Sequence, residues 1–316
     1  MTERLLYKNN HNNNFTFEQL FRTLFDKLDY FHYRYVYERP STAYRRMLSN
    51  LISNPTFKEN TQQLIEEGVL ILPSYFSGEK LKGMSADFDN WCKTKSPEAK
   101  GLTHFDGAVG ESYLTSSFTL SQAAVDPYIT ALASYYWGKP IKMAYARGYR
   151  TEPIPPEEYR AFQWHHDLKR KQIKVMILLT DVPPDGQRMD YIPKTHKIWH
   201  EFNSQKDTVF SKDKALSYGA AIPCAGPAGT VIVFDTNGLH KGTRNLGPRR
   251  DQYTVNYTAG KSIFPLPSLH PEVVKTLNER QKRMVRINEN TGESYLEAKL
   301  KAIKDWASDS FFLREW

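Results

Sequence analysis

Gln163-Trp164-His165-His166-Asp167 is the stretch on which the reading of this chain turns. Segments of β type flank it: Ile141–Thr151 and Tyr159–Trp164 before it, Gln172–Val182 after it. Alternate side chains of an extended segment share a face, so His165 and Asp167 point one way and His166 the other. One imidazole and one carboxylate on a common face offer two adjacent ligands to a divalent metal ion. Working outward, His240 supplies a third. It follows Gly229-Thr230-Val231-Ile232-Val233-Phe234-Asp235, a β-rich run expected to deliver it at a strand end. Two histidines and one carboxylate drawn from separate strands form a facial triad that leaves half of an octahedral sphere open. That is the donor set of non-haem Fe(II) oxygenases.

The other histidines compete poorly for this role. His104-Phe105-Asp106 repeats the His-x-Asp spacing, but it lies in the Gly-rich stretch 101–112, expected to be a loop with no strand after it. The copy at His165 sits between strands that can hold ligands rigidly. His166 is expected to pack or to support the ligands. His196 and His200 would share a helical face, but Lys197 stands where a metalloprotease motif needs glutamate. Both read as surface or substrate-side residues. His11, His32 and His270 have no ligand-like neighbours.

Beyond His240 comes Arg249-Arg250, able to hold a dicarboxylate through a bidentate ion pair. On a strand, Arg250, Gln252 and Thr254 share one face and can line a polar pocket. Arg249, Asp251 and Tyr253 share the other, where an acid beside the arginine suits the surface. Arg250 is therefore the expected anchor, with Arg249 its competitor and Gln252 and Thr254 as further donors.

The chain has 316 residues, 40% apolar and 25% charged, enough for a substantial core in a soluble globular protein. No long uninterrupted apolar run predicts a membrane span, and the polar, Asn-rich start carries no readable secretory signal. Two isolated cysteines, Cys92 and Cys224, fit neither a disulfide framework nor a zinc site and point to a reducing, cytoplasmic compartment. A net charge of +8 and a pI near 9.2 permit an anionic substrate or a nucleic acid. The basic residues are scattered, however, with Lys169-Arg170-Lys171 the tightest cluster.

Helices are expected over 15–34, 41–53, Thr61–Glu67, Ser77 to about Lys93, 120–137, 271–283 and 293–307. Val69–Pro73, Met189–Ile192, Thr230–Asp235 and Gln252–Ala259 add strands to those already named, separated by turns such as Pro183-Pro184-Asp185-Gly186. Helices followed by many short strands predict an α+β protein with a mainly β core: a double-stranded β-helix, of jelly-roll or cupin-like type, with flanking helices. One elaborated domain is expected, with an N-terminal helical extension over 1–60, the core over 61–265 and C-terminal helices over 266–316.

On these motifs the chain, from about residue 64 to 258, resembles the phytanoyl-CoA dioxygenase-like family of Fe(II)/2-oxoglutarate-dependent oxygenases. Trp164-His165-His166-Asp167 matches the family's Trp-His-x-Asp. Glu67 to Pro73 is similar to its opening helix and strand. Asp185-Gly186 and Ile192-Pro193-Lys194-Thr195-His196-Lys197 are similar to its Asn/Asp-Gly and Ile-Pro-Gly-Ser-His-Lys segments. Gly229-Thr230, Phe234, His240, Gly242, Asn245 and Arg250 are similar to its closing pattern. Lys194 departs from the usual glycine, and the interval from His240 to the arginine pair is slightly short for the family.

The resemblance implies that His165, Asp167 and His240 carry Fe(II) and that an arginine at 249 or 250 holds 2-oxoglutarate. It also implies that dioxygen is consumed while 2-oxoglutarate is decarboxylated to succinate and a C–H bond of a small molecule is oxidised. Related halogenases leave the Asp167 position as Gly or Ala, so the carboxylate points to hydroxylation, desaturation or cyclisation. Candidate substrate contacts are Tyr145, Arg147, Tyr149 and Arg150 before the triad, His104 and Asp106 in the Gly-rich stretch, and Lys169 and Arg170 after it. Together they suit a small anionic or zwitterionic metabolite, amino-acid-derived or specialised. A nucleic-acid demethylase of this class would carry an Arg-x-Asn-x-Thr-x-Arg pattern, absent here. A non-catalytic jelly-roll binding module leaves the complete triad and its arginine unexplained.

Overall fold

The computed structural model describes residues 45, 48, 54–93, 102–106, 113–153, 162–167, 172–198, 208–243, 246–258 and 268–285. The helices expected over 15–34, 41–53 and 293–307 lie outside the described residues, apart from Arg45 and Leu48.

Asn54 caps the first described helix, α1 (Pro55–Glu67), by accepting the Phe57 amide, with Pro55 in the first turn where its missing N–H costs nothing. The helix thus begins six residues before the expected Thr61, because the Asn-Pro pair is its start signal. Gly68 ends it at φ +78°, a conformation that favours glycine. Strand β1 (Val69–Leu72) follows at once, then helix α2 (Gly78–Lys93).

The stretch expected to be a loop contains strand β2 (Leu102–Asp106), paired with β3 (Lys142–Thr151). Leu-Thr-His-Phe-Asp is a β-capable run; the glycines flank it rather than interrupt it. The helix expected over 120–137 is divided into α4 (Phe118–Ala124) and α5 (Pro127–Trp137), preceded by the short α3 (Tyr113–Ser116). Asp126 makes the break: its carboxylate accepts the Tyr128 and Ile129 amides and Pro127 opens the next helix.

The remaining strands are β4 (Trp164–His165), β5 (Ile173–Leu178), β6 (Met189–Tyr191), β7 (Val209–Phe210), β8 (Ile222–Cys224), β9 (Val231–Asp235), β10 (His240–Gly242) and β11 (Arg250–Thr258). Short helices α6 (Lys212–Leu216), α7 (Pro271–Thr276) and α8 (Glu279–Met284) and a 3-10 turn over Thr195–Lys197 complete the described elements. The last two replace the single helix expected over 271–283; Leu277 and Asn278 separate them.

Two antiparallel sheets result, in the order β1-β9-β5-β11-β3-β2 and β7-β4-β10-β6-β8. This is the expected jelly-roll sandwich with helices on one side. Period-two alternation decides what each face meets. Val231, Val233, Ile173, Val175, Ile177, Tyr253, Val255 and Tyr257 pack outward against the helices in the main core. Ile232, Phe234, Met176, Leu178 and Val69 face inward, toward Met189, Tyr191 and Cys224 of the smaller sheet. Both cysteines are buried and unpaired. No helix among the described residues is long and apolar enough to cross a membrane.

Candidate active site

His165 lies on β4 and His240 opens β10, and the two are directly opposite partners in the smaller sheet. His240 stands at a strand end, as expected, but it opens β10 and is not carried by the β9 run before it. Asp235 ends β9 in the larger sheet, and Thr236 to Leu239 cross to the smaller one. Gly238 is required in that crossing: a Cβ there would sit 1.9 Å from the Tyr191 hydroxyl. Asp167 follows β4, its amide donating to the Thr236 carbonyl in the same crossing segment at 3.0 Å. His166, between them, points the other way, toward Phe210.

Each histidine presents the same nitrogen. His165 Nδ1 lies 2.8 Å from the Gln163 carbonyl and His240 Nδ1 lies 2.9 Å from the Gly238 carbonyl. A carbonyl only accepts, so each Nδ1 carries the proton and Nε2 offers its lone pair, the tautomer a metal requires. The two Nε2 atoms stand 3.8 and 3.9 Å from Asp167 Oδ1. One donor atom from each of the three side chains lies within 4.8 Å of the others, so the group can gather around a single ion, and the donor chemistry fits Fe(II). Burial and the neighbouring His165 push the His240 pKa down to about 3, keeping its ring neutral. Burial would raise the Asp167 carboxyl, but Lys174 and the two histidines hold it well below the usual carboxylate range.

Along the inward face of β11 runs a ladder of polar side chains at alternate positions: Arg250, Gln252, Thr254 and Asn256. Arg250 is 7% exposed, and its Nε and Nη1 have no hydrogen-bond partner among the described residues. Burial alone lowers its pKa, to about 10, so the guanidinium remains charged at neutral pH. Gln252 Oε1, Thr254 Oγ1 and Asn256 Oδ1 are likewise buried without a partner among the described residues. A buried charge without a counter-ion is costly, which marks the site of an anionic ligand. Arg249 differs: it is 43% exposed and pairs with Asp251 at 3.3 Å.

Residues 64–251 match the family model for phytanoyl-CoA dioxygenase (PhyH). The chain belongs to this family. The PhyH resemblance read from Trp164-His165-His166-Asp167 and the closing pattern is thereby borne out. Ectoine dioxygenase of Stutzerimonas stutzeri (strain A1501) is 23% identical over 231 residues, covering 63% of this chain and 76% of that protein. Among solved structures, the epimerase SnoN from nogalamycin biosynthesis, in complex with Fe3+, alpha ketoglutarate and nogalamycin RO, shares 14% identity at a TM-score of 0.57. That match covers 76% of this chain and 93% of SnoN. EctD from S. alaskensis in its apoform shares 18% identity at a TM-score of 0.54, covering 73% of this chain and 86% of EctD. At these identities the structural matches establish the fold.

Within the PhyH fold, the candidate substrate residues separate by strand face. Tyr145, Arg147 and Tyr149 lie opposite Asn256, Thr254 and Gln252, on the inward side of β3. The Arg147 guanidinium stacks 4.5 Å from the Tyr145 ring centroid. Arg150 is a correction. Its guanidinium is taken by Asp251 through two contacts of 2.9 and 2.7 Å and by Asp89 of α2 at 2.7 Å, on the face turned toward the helices. Odd and even residues of a strand face opposite ways, so Arg150 cannot join Arg147 and Tyr149. His104 and Asp106 lie on edge strand β2 with their backbones opposite Tyr149 and Arg147. Lys169 and Arg170 lie outside the described residues.

His200 lies outside the described residues. His196 is buried, with Nε2 3.2 Å from the Ile65 carbonyl of α1, and it packs against Gly68. It braces the helix–strand junction instead of lying at the surface. Lys194, in the position where the family has glycine, adopts φ +68°. The turn keeps its left-handed geometry although the residue has changed.

Sequence reasoning missed Lys174. It sits on the inward face of β5, in register with Asn256, and its ammonium donates to Asp167 Oδ2. A lone charge within Ile173-Lys174-Val175-Met176-Ile177-Leu178 was the available signal. Burial would lower its pKa, but Asp167 and the tyrosines at 145 and 149 raise it, so it is charged. Beside it, the Asn256 amide donates to the Tyr145 hydroxyl at 3.0 Å and to Gln172 Oε1 at 2.7 Å.

Proposed function

We propose that this chain is an Fe(II)/2-oxoglutarate-dependent dioxygenase that oxidises an unactivated C–H bond of a small anionic or zwitterionic metabolite, with hydroxylation the favoured outcome. One observation carries the reading: a facial triad and a buried guanidinium with no counter-ion among the described residues share the inward side of one sandwich. His165 and His240, through Nε2, and Asp167, through a carboxylate oxygen, would hold the ferrous ion. Arg250 would pair with the distal carboxylate of 2-oxoglutarate, with Gln252 and Thr254 beside it. When bound, iron and 2-oxoglutarate supply, with dioxygen, an oxidant for the C–H bond, and succinate and carbon dioxide are the coproducts.

The chain's own residues orient the reactants and exclude water. The Gln163 and Gly238 carbonyls fix the imidazole tautomers. Met176, Ile232 and Phe234 form the dry floor of the same face. Tyr145, Arg147 and Tyr149 form a wall with one cation and two aromatic rings, suited to a small molecule carrying a carboxylate or phosphate. Asp167 as third ligand favours oxygenation, desaturation or cyclisation over halogenation. The similarity to an enzyme named for ectoine supports a substrate of that size class. Two buried thiols support a reducing, cytoplasmic setting.

The test is succinate release when purified protein receives Fe(II), ascorbate and 2-oxoglutarate. Mass spectrometry of a metabolite extract treated in this way then seeks gain of one oxygen, loss of two hydrogens or loss of water. No succinate above the metal-free control, with and without extract, overturns the proposal.

A further inference from the structure

The two oxygens of Asp167 have different neighbours. Oδ1 faces both imidazoles, at 3.8 and 3.9 Å, while Oδ2 receives the ammonium of Lys174. Lys174 is on a central strand of the larger sheet, whereas the two histidines lie on the smaller sheet and Asp167 directly follows its strand β4, so this contact spans the sandwich. The lysine is not free to swing away cheaply. Its backbone is paired with both β9 and β11, its side chain is 19% exposed, and Asn256 lies directly opposite in register.

We infer that Lys174 is a positioning residue: it occupies Asp167 Oδ2 so that the carboxylate ligates the metal through Oδ1 alone. This rests on the reading of the triad as a metal centre. The physical reason is geometric. A carboxylate with both oxygens available can chelate one ion through two bonds, and each added bond closes a coordination position. A one-oxygen carboxylate beside two imidazoles keeps half the octahedron open, which 2-oxoglutarate and dioxygen together require. A buried ammonium is the stronger device for holding the second oxygen, because a charge-assisted hydrogen bond in a low-dielectric site is shorter and stronger than a neutral one. The contact also gives Asp167 a counter-charge before any metal arrives, so the carboxylate is not left buried and unpaired.

Co(II) is the probe, since its visible ligand-field bands shift when a carboxylate oxygen takes a coordination position that water otherwise holds. Wild type, Lys174→Met and Lys174→Arg are each titrated with Co(II) without 2-oxoglutarate. The expected result is a wild-type spectrum retained by Lys174→Arg and shifted visible bands in Lys174→Met, as the freed oxygen displaces water from the metal. A Lys174→Met spectrum identical to wild type overturns the inference, even if its activity or stability falls. Where Lys174→Met does not fold, X-ray absorption of the wild-type Co(II) protein decides. A chelating carboxylate brings its carbon close to the metal, so a short metal–carbon path overturns the inference and its absence supports it. Failure of wild type to bind Co(II) at all sinks the metal-centre reading instead.

Discussion

His165 and His240 are directly opposed residues of neighbouring antiparallel strands, their ring centroids 4.4 Å apart. Their separation is therefore set by strand pairing, not by loop conformation. Asp167 joins them through a backbone hydrogen bond to the segment that carries His240.

Removing a donor is expected to abolish metal-dependent turnover without unfolding the sandwich, because these side chains lie at the end of the smaller sheet and outside the main apolar core. Asp167→Ala and His240→Ala should each bring succinate formation to the metal-free background. Their far-ultraviolet circular dichroism should stay close to wild type. Iron-dependent succinate formation surviving in both would rule out the triad.

Arg250 trades stability for binding. Losing a charge-assisted pair costs about 1.5–3 kcal/mol, equivalent to roughly a 10- to 100-fold rise in the KM for 2-oxoglutarate in Arg250→Met. The same substitution removes a buried guanidinium that no carboxylate among the described residues compensates, so the ligand-free variant should melt higher than wild type. It should also lose the stabilisation that saturating 2-oxoglutarate gives wild type, about 2.7 kcal/mol at a hundredfold excess over Kd. Arg249→Met should leave KM within about twofold, since only surface pairing is lost. The reverse pattern would move the anchor to Arg249.

Acid should weaken the metal-free protein through His240. Its folded pKa of about 3 lies below the unfolded value of about 6.5. Between these values the unfolded chain binds a proton that the folded chain refuses. The stability contribution is thus fully present above about pH 6.5 and is lost as pH falls toward 3. Urea unfolding midpoints of metal-free wild type should fall from pH 7.5 to pH 5 more steeply than those of His240→Gln. Parallel slopes would refute this assignment.

Arg150 is expected to matter for folding and not for substrate. Arg150→Met leaves Asp251, which is 4% exposed, with only the longer pair to the exposed Arg249, and should cost up to about 3 kcal/mol on thermal or urea unfolding. Substrate KM should change little at a temperature where the variant is folded. A large KM effect without loss of stability would restore Arg150 to the pocket.

Lys194 holds a left-handed conformation that costs an L-residue about 1–2 kcal/mol. Lys194→Gly relieves it but gives the unfolded chain more freedom, and it loses an exposed pair with Glu67. A net gain of about 0.5–1 kcal/mol is expected by urea unfolding, with turnover unchanged.

Much of this architecture was legible because alternation is a strong signal where one strand face is dry and the other wet. The inward set of β11 follows from period two alone, as does the turning of His166 away from its neighbours. Three features were not legible. The interval between Asp235 and His240 gives no sign that the chain changes sheets there; that depends on Gly238 passing against the Tyr191 hydroxyl, a contact between distant segments. Flanking glycines masked β2, whose partner strand β3 begins far along the chain. Lys174 is not legible because local sequence cannot say that a charge in an apolar strand finds its acid across a sandwich. Arg150 is the opposite case: its alternation with Arg147 along β3 already turns it outward.

The arginine doublet that opens β11 offers no spare. A slip of one residue would bring Arg249 inward, but it would also turn Asp251 and Tyr253 between the sheets and drag Val255 and Tyr257 out of the main core. The turn before β11 should therefore tolerate changes of side chain far better than changes of length. An insertion or deletion there would put the whole strand out of phase, and a second arginine could not correct that.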